Sequence, residues 1–264
     1  MKFKLKKNKN ESINPKSKIE LENFIEEDSN DDLHKLISIK NLQKKFGKKQ
    51  VLKDVNFNIK KGEHLCLLGS NGAGKTVLIE TISGLLEPSG GSIEYFFDST
   101  ELNKQIGIQF QSIDLPSSLT PLDIINFFID LYKLNITKEE IDNLIDAFKI
   151  RNYINTKSSK LSGGQKQRLN VLLSLINKPK IIFLDEFSTG LDFLIKNQIE
   201  EFILNYANKN NITIVVVSHD VDEINFFAKR IVVLYDGKIV LNISKEKAIE
   251  KFGSIRNLMK NYIT

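Results

Sequence analysis

Apolar and polar residues alternate over residues 36–42 and 51–59, the period of half-buried strands, with a turn around Gly47 between them. Lys60-Lys61-Gly62-Glu63 then turns the chain into an apolar run, 64–68, short enough for a buried strand. A glycine-rich stretch, 69–74, leads into a helix expected over 75–86, and strands are expected over 93–97 and 105–110. Between 119 and 160 the spacing becomes helical. Ile124, Ile125, Phe128 and Leu131 share one face, and Ile141, Leu144, Ile145 and Phe148 another. A helix over about 165–176, ended by Asn177 and Pro179, precedes strand 181–184, helix 193–207 and strand 212–217. A helix from Val221, strand 230–234 and a hairpin partner over 238–241 complete the pattern. Strands alternating with helices predict an α/β domain on a largely parallel sheet.

Residues 1–35 do not share this pattern. Seven of the first 18 residues are lysine, with one acid, Glu11; the stretch from Glu20 to Asp32 then holds seven acids and no base. Blocks of one sign repel themselves and stay solvated, so a disordered extension is expected. Leu21, Phe24 and Ile25 could still form one apolar helical stripe, enough for a short docking helix.

Composition narrows the classes. With 264 residues, 41% hydrophobic and 27% charged, the chain fits a globular protein and excludes wholesale disorder. The single cysteine, Cys66, forms no internal bridge, which points to a reducing compartment. The longest apolar run is five residues, 231–235, against about 20 for a membrane-spanning helix. The basic start lacks the apolar stretch of a signal peptide, so neither export nor membrane spanning is expected. The net charge of +5 suggests nucleic acid, but lysine outnumbers arginine 34 to 4, and base and phosphate recognition favours the guanidinium. No specific nucleic-acid partner is expected.

The chemistry starts at Gly69-Ser70-Asn71-Gly72-Ala73-Gly74-Lys75-Thr76, which matches G-x-x-x-x-G-K-[ST] after an apolar strand and at the head of a helix. Glycines let backbone N–H groups turn inward around phosphate oxygens, and the helix N-terminus adds partial positive charge. In such a loop Lys75 bridges the β- and γ-phosphates and the Thr76 hydroxyl ligates Mg²⁺. Ile181-Ile182-Phe183-Leu184 fits a strand buried on both faces, delivering Asp185 and Glu186 at its carboxyl end beside the loop. Asp185 is expected to hold Mg²⁺ through water, and Glu186 to orient and polarise the attacking water. Alone, this would read as an acidic turn closing a strand. Beside a phosphate loop the two motifs predict an ATPase or GTPase.

Leu161-Ser162-Gly163-Gly164-Gln165 resembles the signature motif of ATP-binding cassette (ABC) ATPases, and further marks follow the family's order. Phe46 stands where the family places an adenine-stacking aromatic. Gln111 matches the Q-loop; Gln109 competes for it, and the spacing from Gly107 favours Gln111. Ser188-Thr189-Gly190-Leu191-Asp192 resembles the D-loop, and His219, just past a strand, falls at the H-switch. His34 and His64 have no such place. Over residues 36–264 the resemblance implies a P-loop NTPase core with a mixed, largely parallel sheet, an antiparallel β subdomain and a helical insert at about 112–160. It implies ATP and Mg²⁺ as cofactors, with Thr76, Gln111 and Asp185 around the metal and Glu186, His219, Lys75 and Gln111 as the catalytic set. It further implies nucleotide contacts from Phe46, from residues 69–76 and from Leu161, Ser162, Gly163, Gly164, Gln165 and Asp192. In the family two subunits meet head to tail, each signature closing over the other's ATP.

Three positions depart from the family pattern. Phe187 follows Glu186 where proline is usual, Val77 follows Thr76 where a second threonine is common, and the extension 1–35 is additional. None removes a catalytic group. One cassette without hydrophobic spans resembles the nucleotide-binding subunit of a transporter with separate permease chains, at the cytoplasmic face of the membrane. Residues 112–134 and 253–258 look most like exporter-type subunits, whose second cassette is a copy or a paralogue. The alternative is a soluble single-cassette ATPase of the iron–sulphur assembly type.

Overall fold

The computed structural model describes residues 24–25, 34–110 and 114–263. Its centre is a seven-stranded sheet in the order β1-β10-β9-β4-β8-β7-β6. The strands are β1 (Phe24–Ile25), β4 (His64–Leu68), β6 (Ile106–Gln109), β7 (Ile181–Asp185), β8 (Thr213–Val217), β9 (Arg230–Tyr235) and β10 (Lys238–Ser244). From β9 through β6 all neighbours are parallel, whereas β10 runs antiparallel to β9. A second, antiparallel sheet joins β2 (Lys35–Phe46) to β3 (Lys49–Lys60) and β5 (Gly90–Tyr95).

The parallel strands are apolar without alternation because both faces are covered. Period-2 geometry then divides their side chains. Leu65, Leu67, Phe183, Val215 and Val232 enter a core shared with the antiparallel sheet and α1 (Lys75–Ile82). Ile182, Leu184, Ile214 and Val216 face the opposite core, with α5 (Gly163–Leu175) and α6 (Phe193–Asn210). Cys66 and Leu68 point to a third, under α7 (Val221–Phe227), α8 (Lys245–Phe252) and α9 (Ile255–Tyr262). Burial and the Glu223 carboxylate push the Cys66 thiol well up, leaving it a small core residue.

The insert folds as α3 (Pro121–Tyr132) and α4 (Lys138–Ala147), followed by two short 3₁₀ turns. Both helices start on capping boxes, Thr120 with Asp123 and Thr137 with Glu140. Several boundaries differ from the pattern reading. The β2–β3 hairpin extends to a tight turn at Gly47, which puts Phe46 at a strand end. Helix α1 stops at Ile82, where Ser83 Oγ donates back to Ile79 O and Gly84 turns at φ +76°. Helix α5 starts two residues early, at Gly163. The short α2 (Leu102–Gln105) and the two last helices, α8 and α9, were not anticipated from spacing. Of the apolar stripe in the extension, Leu21 lies outside the described residues. Phe24 and Ile25 form a strand beside β10, pairing Phe24 with Leu241 and Ile25 with Asn242, rather than part of a helix.

Candidate active site

The carboxyl ends of β4, β7 and β8 lie side by side, and the phosphate loop, Asp185–Glu186 and His219 all emerge there. The loop's glycines answer to its neighbours. A Cβ on Gly69 would stand 2.3 Å from the Leu234 carbonyl of β9; one on Gly74, at φ +106°, would press on Val51 and Leu52 at 3.2 Å. Lys75 Nζ donates to the Gly69 carbonyl at 2.7 Å and the Ser70 carbonyl at 3.2 Å, so its ammonium lies across the loop. Burial holds Lys75 below the usual lysine range, against the pull of Asp185 and Glu186.

The helix behind the loop has an unusual start. Helices α3 to α9 are each capped by a side chain, but α1 begins at Gly74 with no side-chain cap and no acid in its first turn. First-turn N–H groups need an acceptor. A glycine cradle, an uncapped helix start and a lysine fit a polyphosphate.

Thr76 Oγ1 donates to Asp185 Oδ2 at 3.4 Å. Burial, then the neighbouring Glu186, raises the Asp185 carboxyl above the usual range, with Lys75 and Thr76 opposing. One hydroxyl and one carboxylate suit Mg²⁺, a hard cation that takes few protein ligands and shares phosphate oxygens. Glu186 sits in the left-handed region at φ +49°, its N–H donating to Val217 O at 2.9 Å and its carbonyl accepting from Thr189 N at 3.1 Å. This places Glu186 Oε1 3.7 Å from His219 Nε2. A carboxylate and an imidazole thus meet beside the strand that carries Asp185, two groups able to hydrogen-bond and exchange a proton with a water.

Other sequence-predicted residues lie elsewhere. Ser162 caps α5: its Oγ accepts from Gln165 N at 3.3 Å and its N–H donates to Gln165 Oε1 at 2.9 Å. Gly163 and Gly164 follow, and with residues 189–192 they line an open cavity of about 580 Å³ that shares no lining residue with the phosphate loop. Asp192 accepts from Ile195 N and so caps α6, while Leu161 is buried in the core. Phe46 is 48% exposed, with Lys44 Nζ 5.2 Å from its ring centre. Gln111 lies outside the described residues, and Gln109 is fully buried in β6. His64 is buried, which lowers its pKa.

Two features here are made by packing that spacing along the chain does not show. Phe187, the departure from proline, is fully buried edge-to-face against Phe227 at 5.8 Å, and its carbonyl accepts from Gln167 Nε2 at 2.9 Å. Glu223, three residues after the helix-capping Asp220, is 1% exposed.

A parallel sheet with a phosphate loop at its carboxyl edge and a carboxylate beside it, within reach of the loop's threonine, defines a P-loop nucleotide hydrolase. The family model for the ABC transporter matches residues 52–189, just over half of the chain. The spermidine/putrescine import ATP-binding protein PotA of Clostridium acetobutylicum is 30% identical over 240 residues, 85% of this chain and 68% of that one. The lantibiotic transport ATP-binding protein SrtF of Streptococcus pyogenes is 32% identical over 232 residues, 86% of this chain and 97% of that one. The dimeric post-hydrolysis structure of the ATP-binding cassette MJ0796, bound to ADP and Pi, matches with a TM-score of 0.69 at 30% identity, over 79% of this chain and 98% of that one. The chain belongs to the ABC transporter family, as an ATP-binding subunit that hydrolyses ATP with Mg²⁺. Among the described residues no helix is long and apolar enough to cross a membrane.

Proposed function

We propose that this subunit powers export through separate permease chains, at the cytoplasmic face of the membrane, by closing head to tail on a second cassette. Lys75 and the 69–76 backbone hold the β- and γ-phosphates, Phe46 stacks on adenine, and Thr76, Asp185 and Gln111 would hold Mg²⁺. The metal supplies neutralisation of phosphate charge. Glu186 orients and polarises the attacking water, and His219 contacts the γ-phosphate. Ser162, Gly163, Gly164 and Asp192 face the nucleotide of the opposite subunit. Relatives named for import and for lantibiotic transport match at similar identity; the export reading rests on the resemblance of residues 112–134 and 253–258 to exporter-type subunits.

The observation that carries the permease reading is the seam between insert and core. A groove of about 260 Å³ there is lined by Leu85, Leu102, Phe110, Phe128 and Tyr132, and Leu122, Phe127 and Leu131 of α3 are exposed. An apolar groove beside an exposed aromatic helix suits a short amphipathic helix from a permease. Extraction of native membranes in mild detergent should recover the chain with a multi-span protein, and Phe127→Asp with Leu131→Asp should release it with ATP binding unchanged. Recovery only in the soluble fraction with a cytosolic partner overturns the transporter reading.

A further inference from the structure

Behind Glu186 and His219 lies a buried polar knot that the roles above do not use. Glu223, in the first turn of α7, points inward, and its Oε2 accepts from Ser188 Oγ at 2.8 Å and from Ser218 Oγ at 3.0 Å. Ser188 is two residues beyond Glu186; Ser218 immediately precedes His219. Ser218 Oγ also accepts from the Asp220 N–H at 3.0 Å, so the donor to Glu223 is itself held in orientation. The other carboxylate oxygen, Oε1, is buried and makes no hydrogen bond. Two serines on two different loops therefore determine where this carboxylate sits.

Helix capping does not explain Glu223, because Asp220 already caps α7 by accepting from Asp222 N. Core packing does not explain it either, since a carboxylate is costly to desolvate and an apolar residue fills space without that penalty. What the placement does provide is a bridge between the two loops that end in the catalytic side chains. A second bridge runs outside it, where Lys196 of α6 pairs with Asp220 and lies 3.7 Å from Glu200. A main-chain bond, Glu186 N–H to Val217 O, joins the same loops from below.

We propose that Glu223 is a positioning residue, which by holding Ser188 and Ser218 on one oxygen keeps Glu186 and His219 in register for hydrolysis. This rests on the reading that Glu186 and His219 carry out the chemistry. Glu223 lines the cavity that holds Glu186 and His219 but belongs to neither the phosphate loop nor the metal-side pair Thr76 and Asp185, so its loss should act on turnover and leave the phosphate loop's hold on ATP intact.

The test is steady-state ATPase of the full chain, with nucleotide affinity measured separately for each variant. Glu223→Leu should lower kcat by about tenfold or more with KM for Mg–ATP within about twofold. Glu223→Gln should return turnover to within about threefold of wild type, because its carbonyl oxygen accepts the same two hydroxyls. Ser188→Ala and Ser218→Ala together should match Glu223→Leu, and adding either to Glu223→Leu should cost nothing more, the mark of one shared unit. A folded Glu223→Leu protein turning over near the wild-type rate overturns the proposal, as does a Glu223→Gln variant as slow as Glu223→Leu. Serine changes that add independently to Glu223→Leu overturn it too. If Glu223→Leu does not fold, the serine pair decides, since it removes two oxygens and little volume: a rate near wild type overturns the proposal and an about tenfold loss sustains it. Glu186→Gln separates the underlying reading. Full activity in that variant sinks the catalytic assignment, whereas an inert Glu186→Gln beside a fully active Glu223→Leu sinks the positioning role alone.

Discussion

Two helices of this protein start at glycine-rich turns, α1 after Gly74 and α5 after Ser162, and the two starts are satisfied differently. In α5 the Ser162 hydroxyl and the Gln165 amide close a capping box. That box occupies the Gln165 N–H and leaves the N–H groups of Gly163 and Gly164 outside its bonds. In α1 no side chain performs that function, and a lysine reaches back across the loop. One start has its cap within its own chain; the other has none and is shaped for an anion supplied from outside. The lesson is that a glycine-rich helix start is not one kind of site. The capped one presents a surface that a second subunit can approach without the monomer being strained in its absence.

The comparison is broken hardest at the phosphate loop's carboxylate. Glu186→Gln should keep ATP affinity and slow turnover by about 10²–10⁴-fold, the scale of a lost general base. Under Mg–ATP, but not Mg–ADP, the slowed variant should then accumulate as a pair, visible by light scattering at high protein concentration. Ser162→Arg added to it should abolish the pair while ATP binding to the monomer stays within about twofold. A pair that survives Ser162→Arg would remove the signature from the contact.

A smaller effect should separate the two starts by pH. Helix α6, whose first residues line the signature cavity, carries buried Glu200. Burial pushes its carboxyl up to about 7, with Lys196 pulling the other way. Its folded pKa lies above the unfolded one, so the native state binds this proton more tightly. Stability from this group is full below the unfolded value and is lost as pH rises towards about 7. Wild type should be less stable at pH 8 than at pH 5 by on the order of 2 kcal/mol from this group, and Glu200→Gln should flatten that slope in thermal melts.

Within the monomer, Ser162→Ala removes the cap of α5. It should cost about 1 kcal/mol in a denaturant titration, a loss for which α1 has no counterpart. The smallest effect is expected at the other end of the chain. Deleting residues 1–33 removes the two-residue β1 from the edge of the sheet, and ATP hydrolysis should stay within about threefold because sign-segregated blocks build no core. A larger loss would mean that β1 supports β10 and the helices beneath it.

The sequence reached the parallel sheet because its strands are short, mostly apolar runs bounded by turn residues, and β8 and β9 are rich in β-branched residues. It reached the phosphate loop and Asp185–Glu186 because their chemistry is local: the residues that act stand next to one another in the chain. The places where pattern reading fell short share a cause. Ser83 and Gly84 ended α1 early through a side-chain bond to the backbone, which periodicity cannot register. Phe24 and Ile25 took their conformation from β10, more than 200 residues away. Glu223 was legible only as a polar residue in a helix's first turn, because its partners, Ser188 and Ser218, come from two other loops. Contacts of that kind are made by topology, and spacing along the chain carries no trace of them.

The strand order has a consequence for the protein's synthesis. β4, which ends in the phosphate loop, has β8 and β9 as its two neighbours in the sheet, and both lie more than 140 residues further along. As the chain emerges, β4 therefore has neither flank available until β8 is made, near residue 217, and lacks its second until the residues near 235. At roughly 5–20 residues per second, that interval is on the order of ten seconds or more. During it a buried, mostly apolar strand waits unpaired, and there is no β8 between β4 and β7 to hold Thr76, just past β4, at a fixed separation from Asp185. ATP thus cannot template the fold from the first motif onward. A ribosome stalled before residue 213 would carry a chain that has its phosphate loop in sequence and no nucleotide site in space.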